Sequence, residues 1–131
     1  KYDLLGLTGY VGTNEVFEAG RVVLGSDSFV ARLRPHAPVR IVLRTAVKGE
    51  TGVKTGIYSK RQVFTFVSPL RLAVHANGAE VGTYVLPLST NATAFSEVQF
   101  DLPPEAIQAK DTRLTLYGDH LALGYWLYQK E

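Results

Sequence analysis

The segment HLALGYWLYQ, residues 120–129, carries the side chains best suited to binding a ligand. If the segment forms an alternating strand, its leucines share one face, and His120, Trp126 and Tyr128 share the other. Aromatic rings beside a small residue such as Gly124 form a shelf on which the CH-rich face of a sugar ring can stack. We therefore expect carbohydrate binding at this strand. The alternative is a strand buried on both faces, with Trp126 in the core.

Arginine side chains form a second candidate binding group. Arg40 and Arg44 alternate with apolar residues and therefore share the outer face of one predicted strand. Guanidinium groups bind carboxylates and sugar hydroxyls through paired hydrogen bonds, so we expect both arginines at the rim of the sugar site. An acidic glycan or a protein partner would suit an unpaired basic stripe. The alternative is a solvated sheet face on which the arginines pair with Glu97 and Asp101.

The longest polar stretch, residues 48–61, contains three glycines and four basic residues. This composition predicts an exposed loop that joins two strands, and long loops in small domains often carry function. We expect Tyr58 of this loop to contribute to ligand binding. The alternative is a solvated hairpin without a ligand.

Side chains suited to catalysis do not fall into a pattern typical of an enzyme. His36, His75 and His120 lie at separate predicted turns, without the spacing of a zinc site. There is no nucleophile-elbow sequence and no phosphate-binding glycine loop. Glu97 and Asp101 lie on a polar strand face, where carboxylates are normally solvated, and a glycosidase would need a second carboxylate about 5–9.5 Å away. We therefore expect no enzymatic activity.

Cofactor binding is likewise not expected, and no metal site is assigned. The chain contains no cysteine, which excludes disulfides, thiol nucleophiles and thiolate metal sites. A structural calcium ion is the one alternative left open, because four aspartates lie at or near predicted turns. These are Asp3, Asp27, Asp111 and Asp119.

The sequence predicts that short β-strands position these residues. Alternating runs spaced about ten residues apart, with Gly, Pro, Asn and Asp between them, predict an all-β, mostly antiparallel fold. The Asn77-Gly78 pair predicts a tight hairpin turn, and residues 103–107 predict at most one short helical turn. The predicted strands span residues 16–24, 29–34, 38–45, 62–67, 70–76, 80–86, 95–102, 112–117 and 121–129.

Length and charge limit the classes of protein further. A chain of 131 residues, 46% hydrophobic and 20% charged, predicts one globular domain spanning residues 1–131. The net charge of +2 is too small to favour nucleic acid or an anionic membrane as a partner. No apolar run approaches the roughly 18–20 residues of a membrane span, so we expect no membrane insertion of this segment.

The second half of the chain resembles galactose-binding-like jelly rolls, which include non-catalytic sandwich domains of many glycoside hydrolases. The resemblance covers roughly residues 62–129. It rests on the hairpin LRLAVHANGAEVG at residues 70–82, followed by FSEVQFDL at 95–102 and TRLTLYG at 112–118. It implies an antiparallel two-sheet β-sandwich of jelly-roll type. The calcium site of that family does not map onto residues of this chain.

Together, the aromatic strand and the resemblance predict a non-catalytic carbohydrate-binding or accessory module of a larger carbohydrate-active or cell-envelope protein. Its partner would be a carbohydrate, or a neighbouring domain or protein. The alternative is a protein–protein interaction or structural domain, such as the extracytoplasmic accessory domain of a membrane enzyme. Composition assigns no location, and we favour one outside the cytoplasm.

Overall fold

The computed structural model describes the backbone of residues 2–11, 14–55, 58–88 and 95–130, and the side chains of residues 22–47, 65–88 and 95–130. Within these ranges the chain forms twelve strands and one short 3-10 turn, Pro104–Ala106, where a helical turn was predicted. The strands are β1 Tyr2–Val11, β2 Asn14–Val23, β3 Ser26–Arg32, β4 Val39–Ala46, β5 Lys48–Thr55, β6 Tyr58–Thr65, β7 Leu70–Ala76, β8 Ala79–Leu86, β9 Phe95–Leu102, β10 Asp111–Tyr117, β11 His120–Ala122 and β12 Gly124–Tyr128.

The strands form three sheets, and the described strand pairs are antiparallel. A five-stranded sheet has the order β11-β2-β1-β5-β6, a four-stranded sheet has the order β3-β10-β7-β8, and a three-stranded sheet has the order β12-β4-β9. The prediction of an all-β, antiparallel fold is therefore confirmed. No helix in the described ranges is long and apolar enough to cross a membrane.

Alternation along β4 separates its core side from its outer side. Val39, Ile41 and Leu43 are fully buried, whereas Arg40 and Arg44 point to the other face of the sheet. The four-stranded and three-stranded sheets contribute their buried side chains to one apolar cluster. Complete burial of a Leu or Ile side chain stabilises a fold by about 1.5–3 kcal/mol, so this cluster holds the three-stranded sheet in place and leaves its other face outward.

A smaller apolar cluster joins the five-stranded sheet to β4. It contains Val22 of β2, Ala46 of β4, Leu121 of β11, and Phe66, which follows β6. The backbone N–H of Phe66 donates to the carbonyl of Val47 at 2.7 Å. This cluster therefore fixes β11 next to the end of β4.

The predicted Asn77-Gly78 turn between β7 and β8 is confirmed. Both residues have positive φ, 49° for Asn77 and 83° for Gly78, as a two-residue hairpin turn requires. The side-chain oxygen of Asn77 accepts a hydrogen bond from the N–H of Arg113, and the Asn77 N–H donates to the Arg113 carbonyl, both at 2.8 Å. The turn is thereby tied to β10.

Three predictions of the strand pattern were wrong. Residues 48–61 were predicted as a loop, but β5 and β6 pair there as an antiparallel hairpin. A hairpin was the alternative prediction for this segment. β1 was not predicted. Residues 121–129 were predicted as one strand, but the chain is interrupted at Leu123, whose N–H donates to the Arg44 carbonyl at 3.0 Å. Before this point the chain pairs with β2, and after it the chain pairs with β4.

Candidate functional site

The outward face of the three-stranded sheet carries the candidate site. Strand register aligns its side chains in three rows of three, and we call these nine residues the β12–β4–β9 face. The rows are Tyr128–Arg40–Asp101, Trp126–Val42–Gln99 and Gly124–Arg44–Glu97. None of the nine residues is buried. One column is thus aromatic, one is mainly cationic, and one carries acidic and amide groups.

The first row contains a two-point ion pair. Nε of Arg40 donates to Oδ1 of Asp101 at 2.9 Å, and Nη2 donates to Oδ2 at 3.1 Å. Their hydrogen bonding lowers the pKa of Asp101 and raises the pKa of Arg40 from their ordinary values, and charge attraction adds to both shifts. Both side chains are more than half exposed, so water screens this pair and its gain in stability is small.

The third row contains a second ion pair. Nη1 of Arg44 donates to Oε1 of Glu97 at 2.9 Å. The guanidinium carbon of Arg44 also lies 5.2 Å from the centre of the Phe95 ring, within the range of a cation–π contact. These contacts leave Arg44 less exposed than Arg40. The alternative interpretation, in which both arginines pair with Glu97 and Asp101, is confirmed.

The aromatic column is open to solvent. Trp126 is 44% exposed and Tyr128 is 56% exposed, so the alternative of a strand buried on both faces is wrong. A methyl group placed on Gly124 would lie 2.8 Å from Cη2 of Trp126 and 3.1 Å from Cζ3. The six-membered ring of the indole therefore lies over Gly124. The ring therefore leans toward Gly124 and away from Tyr128.

A groove of about 440 Å³ opens at the Tyr128 end of the face. Its lining includes Arg40, Asp101 and Tyr128 of the first row, together with Gln129 and Lys130. This volume falls within the range of small-molecule sites. The groove brings an aromatic ring, a guanidinium group and a carboxylate to one shallow surface.

Gln129 fixes the wall of this groove. Its Oε1 accepts from the N–H of Arg34 at 2.9 Å, and its Nε2 donates to the carbonyl of Arg34 at 3.1 Å and to that of Ala37 at 3.4 Å. These bonds attach the β3–β4 connection to the end of β12. The backbone that carries Tyr128 is thereby held at both sides, since β4 pairs with it as well.

His120 does not belong to the β12–β4–β9 face, which corrects its assignment to the sugar site. It lies on β11 and is 0% exposed. Its Nδ1 is 2.8 Å from the Gly118 carbonyl, and its Nε2 is 2.7 Å from the hydroxyl of Tyr125. The interruption at Leu123 breaks the alternation that placed His120 with Trp126. A side chain with no exposed surface cannot contact a ligand at the outer face.

Tyr125 extends this contact to a buried carboxylate. Its hydroxyl donates to Oδ2 of Asp27, which is 2% exposed, at 2.8 Å. Because a carbonyl only accepts, Nδ1 of His120 must donate to Gly118, and the single hydroxyl proton serves one of the two other bonds. All three hydrogen bonds can form together only if Nε2 of His120 or the carboxyl group of Asp27 also carries a proton. The His120–Tyr125–Asp27 triad then holds one proton more than a neutral imidazole, a phenol and a carboxylate. The triad joins one strand from each sheet.

The remaining predicted ligand and the aspartates near predicted turns lie outside the β12–β4–β9 face or outside the described side chains. Tyr58 begins β6, and its side chain lies outside the described residues, as does that of Asp3. Asp119 accepts from the N–H of Gly25 at 2.7 Å, and Asp111 lies 3.7 Å from Arg32. Among the side chains in the described ranges, no group of three or more acidic or histidine residues could hold a metal ion.

Glu97 and Asp101 lie four residues apart on β9, which places their Cα atoms about 13 Å apart. Each carboxylate is also engaged by an arginine.

Sequence reasoning assigned Arg40, Arg44, Trp126 and Tyr128 to a binding site, and the structure brings these four to one face. It did not assign Gln99 of β9, which lies beside Val42, to the site. The signal was present in the alternation of residues 95–102. It could not be used, because which strand lies next to β4 depends on tertiary pairing.

Comparisons with known proteins assign no family. No family model and no solved structure matches the chain. It is 35% identical over 85 residues to the DNA-directed RNA polymerase subunit beta' of Borrelia turicatae, and 33% identical over 85 residues to that of Borrelia recurrentis. Each match covers 59% of this chain and 6% of the polymerase subunit. It is also similar to the 3-phosphoshikimate 1-carboxyvinyltransferase of Oceanobacillus iheyensis, 30% identical over 116 residues, which is 88% of this chain and 24% of that enzyme. The chain thus spans only a small part of each of these proteins.

Proposed function

We propose that this chain is a non-catalytic carbohydrate-binding module, with the β12–β4–β9 face as its binding surface. The observation that carries the proposal is the first row of that face. There an exposed Tyr128 lies in register with the Arg40–Asp101 ion pair. One sugar ring laid on this row would meet an aromatic surface and a pair of polar groups at the same time.

The chemistry of a sugar supports this assignment. A pyranose has an apolar CH face, which stacks on an aromatic ring, and an equator of hydroxyl groups, which need donors and acceptors. Trp126 and Tyr128 supply the rings, while Arg40, Asp101 and Gln99 supply the polar groups. The sheet holds all of them on one rigid strand array, so little ordering is required on binding.

The architecture we propose is a single domain in which the four-stranded and three-stranded sheets are the two layers of a jelly-roll sandwich. Its support is the shared apolar cluster of the four-stranded and three-stranded sheets. The hydroxyl of Tyr84 on β8 also donates to the backbone carbonyl of Asp101 on β9 at 3.1 Å. In such an arrangement the binding face is the outer surface of one layer. We further propose that the module belongs to a larger carbohydrate-active or cell-envelope protein outside the cytoplasm.

A glycan array probed with the folded domain and with Trp126→Ala tests the proposal. Tyr117→Ala is the matched control, because Tyr117 is an exposed aromatic residue, 46% exposed, on β10 of the other sheet. We expect the wild type and the control to bind the same glycans and Trp126→Ala to lose them.

Two results would overturn the proposal. One is an array without any bound glycan when the domain is folded, as judged by its amide NMR spectrum. The other is binding that survives both Trp126→Ala and Tyr128→Ala. Either result would favour a protein-contacting role for this face, because Trp, Tyr and Arg also dominate protein interfaces.

A further inference from the structure

We infer that the β12–β4–β9 face selects neutral glycans with adjacent free hydroxyl groups over glycans that carry carboxylates or sulfates, and that the Arg40–Asp101 pair makes this selection. The inference rests on the proposed function. It assigns a substrate class to the face and a specificity role to two of its residues.

The charges of the face are already matched in pairs. Arg40 is paired with Asp101 and Arg44 with Glu97, each at a distance of 2.9 Å at closest approach. A carboxylate on a bound sugar could reach Arg40 only beside Asp101 or in its place. The first position brings two like charges together, and the second breaks a two-point hydrogen bond. An anionic group therefore finds no favourable place on the first row.

The same pair is suited to neighbouring hydroxyl groups. Arginine has five N–H donors, of which the contact with Asp101 uses two, and a carboxylate has about four acceptor positions. Beyond their mutual bonds, Arg40 thus presents donors directly next to the acceptors of Asp101. Two adjacent sugar hydroxyls, each able both to donate and to accept, can bond to this pair without disturbing it. The Arg40–Asp101 contact holds both side chains in position before the ligand arrives.

The row places this polar pair at the correct distance from an aromatic ring. Tyr128, Arg40 and Asp101 lie on adjacent strands, and neighbouring strands are about 4.8 Å apart. A sugar ring over Tyr128 therefore extends its hydroxyl edge toward Arg40 and Asp101. All three residues of this row line the groove of about 440 Å³.

Lys130 allows a test of the opposite preference, in which anionic glycans bind better than neutral ones. It is exposed and also lines the groove. If anionic glycans were the preferred ligands, this ammonium group would be their natural partner. Lys130→Ala would then abolish the binding of anionic glycans.

The test measures the affinity of the domain for neutral hexose oligosaccharides and for the matching uronic acid and sulfated oligosaccharides by titration calorimetry. We expect the neutral compounds to bind and the anionic ones to bind at least about tenfold more weakly. Asp101→Asn should weaken neutral binding by about tenfold or more, since a charge-assisted hydrogen bond is lost. Lys110→Ala, at an exposed lysine that does not line the groove, is the control and should leave neutral binding unchanged.

Salt dependence provides a measurement on the wild type that needs no variant. Between about 0.01 M and 1 M salt the screening length falls from about 30 Å to 3 Å. The affinity for a neutral ligand should change little over this range.

Three outcomes overturn the inference while the proposed function stands. They are anionic glycans that bind as well as or better than neutral ones, neutral binding unaffected by Asp101→Asn, and an affinity that falls steeply with salt. Absence of binding to every glycan, neutral or anionic, would instead overturn the proposed function itself.

Discussion

Nε2 of His120 and the hydroxyl of Tyr125 lie 2.7 Å apart, although the two residues belong to strands of different sheets. Tyr125 then continues the contact to Asp27 on β3, a strand of the third sheet. Three sheets thus meet at one polar triad.

Removal of the Tyr125 hydroxyl tests the importance of this triad. Tyr125→Phe keeps the ring and its contact with Phe29, whose ring centre is 5.0 Å away, but it deprives His120 and Asp27 of their shared partner. Because both of these groups are buried, we expect a loss of about 1–3 kcal/mol in the free energy of unfolding, measured by urea denaturation. Tyr128→Phe, at an exposed position, is the control and should change the stability by less than about 0.5 kcal/mol. An equal effect of the two substitutions would contradict a structural role of the triad.

The Arg40–Asp101 pair predicts a specific titration behaviour. Hydrogen bonds with Arg40 lower the pKa of Asp101, so Arg40→Ala should raise that pKa toward its ordinary value. NMR titration of the Asp101 carboxyl carbon measures it, with Arg44→Ala as the control that leaves Asp101 unchanged. A pKa of Asp101 that is the same in Arg40→Ala and in the wild type would show that the pair does not form in solution.

The sign of the accompanying pH effect on stability follows from linkage. The pKa of Asp101 is lower in the folded state than in the unfolded chain, so the folded state is favoured when the carboxyl is ionised. This contribution is present above the ordinary pKa of an aspartate and is lost as the pH falls through the lowered value. Arg40→Ala should therefore remove it, and the difference in stability between the variant and the wild type should shrink in acid. Both side chains are more than half exposed, so the effect is small.

Much of the face was predictable from residue types, and the limits of that prediction have physical causes. Alternation in residues 38–45 and 95–102 placed Arg40, Arg44, Glu97 and Asp101 on outer faces, and the mutual pairing of these charges followed as an alternative. The position of His120 could not be predicted, because the break at Leu123 arises from a change of pairing partner, which leaves no mark on local alternation.

The hairpin of β5 and β6 was only an alternative to the predicted loop, for a different reason. Strand prediction relied on apolar side chains at every second position, but residues 48–61 are mainly polar and rich in glycine. Backbone hydrogen bonds between the two strands do not depend on side-chain type. Such a hairpin therefore gives no periodic signal, and its composition resembles that of a loop.

Substitution by alanine should destabilise the fold by different amounts at two glycines with positive φ. At Gly78, φ is +83° and a methyl group would meet nothing within 4 Å, so Gly78→Ala should cost only the backbone strain, about 1–2 kcal/mol. At Gly118, φ is +142° and the methyl group would collide with the carbonyl oxygen of Arg71. Strain and overpacking together should make Gly118→Ala cost about 2–5 kcal/mol. Thermal unfolding of both variants checks the order, and a Gly78→Ala variant less stable than Gly118→Ala would contradict it.

Gly124 should control the position of the aromatic column. A methyl group there would lie 2.8 Å from Cη2 of Trp126, closer than van der Waals contact permits, so Gly124→Ala must push the indole off the sheet. Because the chain contains a single tryptophan, its fluorescence reports this directly, and we expect a red shift as the ring becomes more solvated. Glycan affinity should fall when the indole moves, while the free energy of unfolding changes little, since the indole can move into solvent.

Gly82→Ala is the control, because the side-chain atoms nearest to a methyl group there, those of Tyr84, lie at 3.9 Å. An unshifted spectrum together with unchanged glycan binding in Gly124→Ala would mean that the indole does not rest on Gly124. The aromatic shelf would then have to be formed by Tyr128 alone.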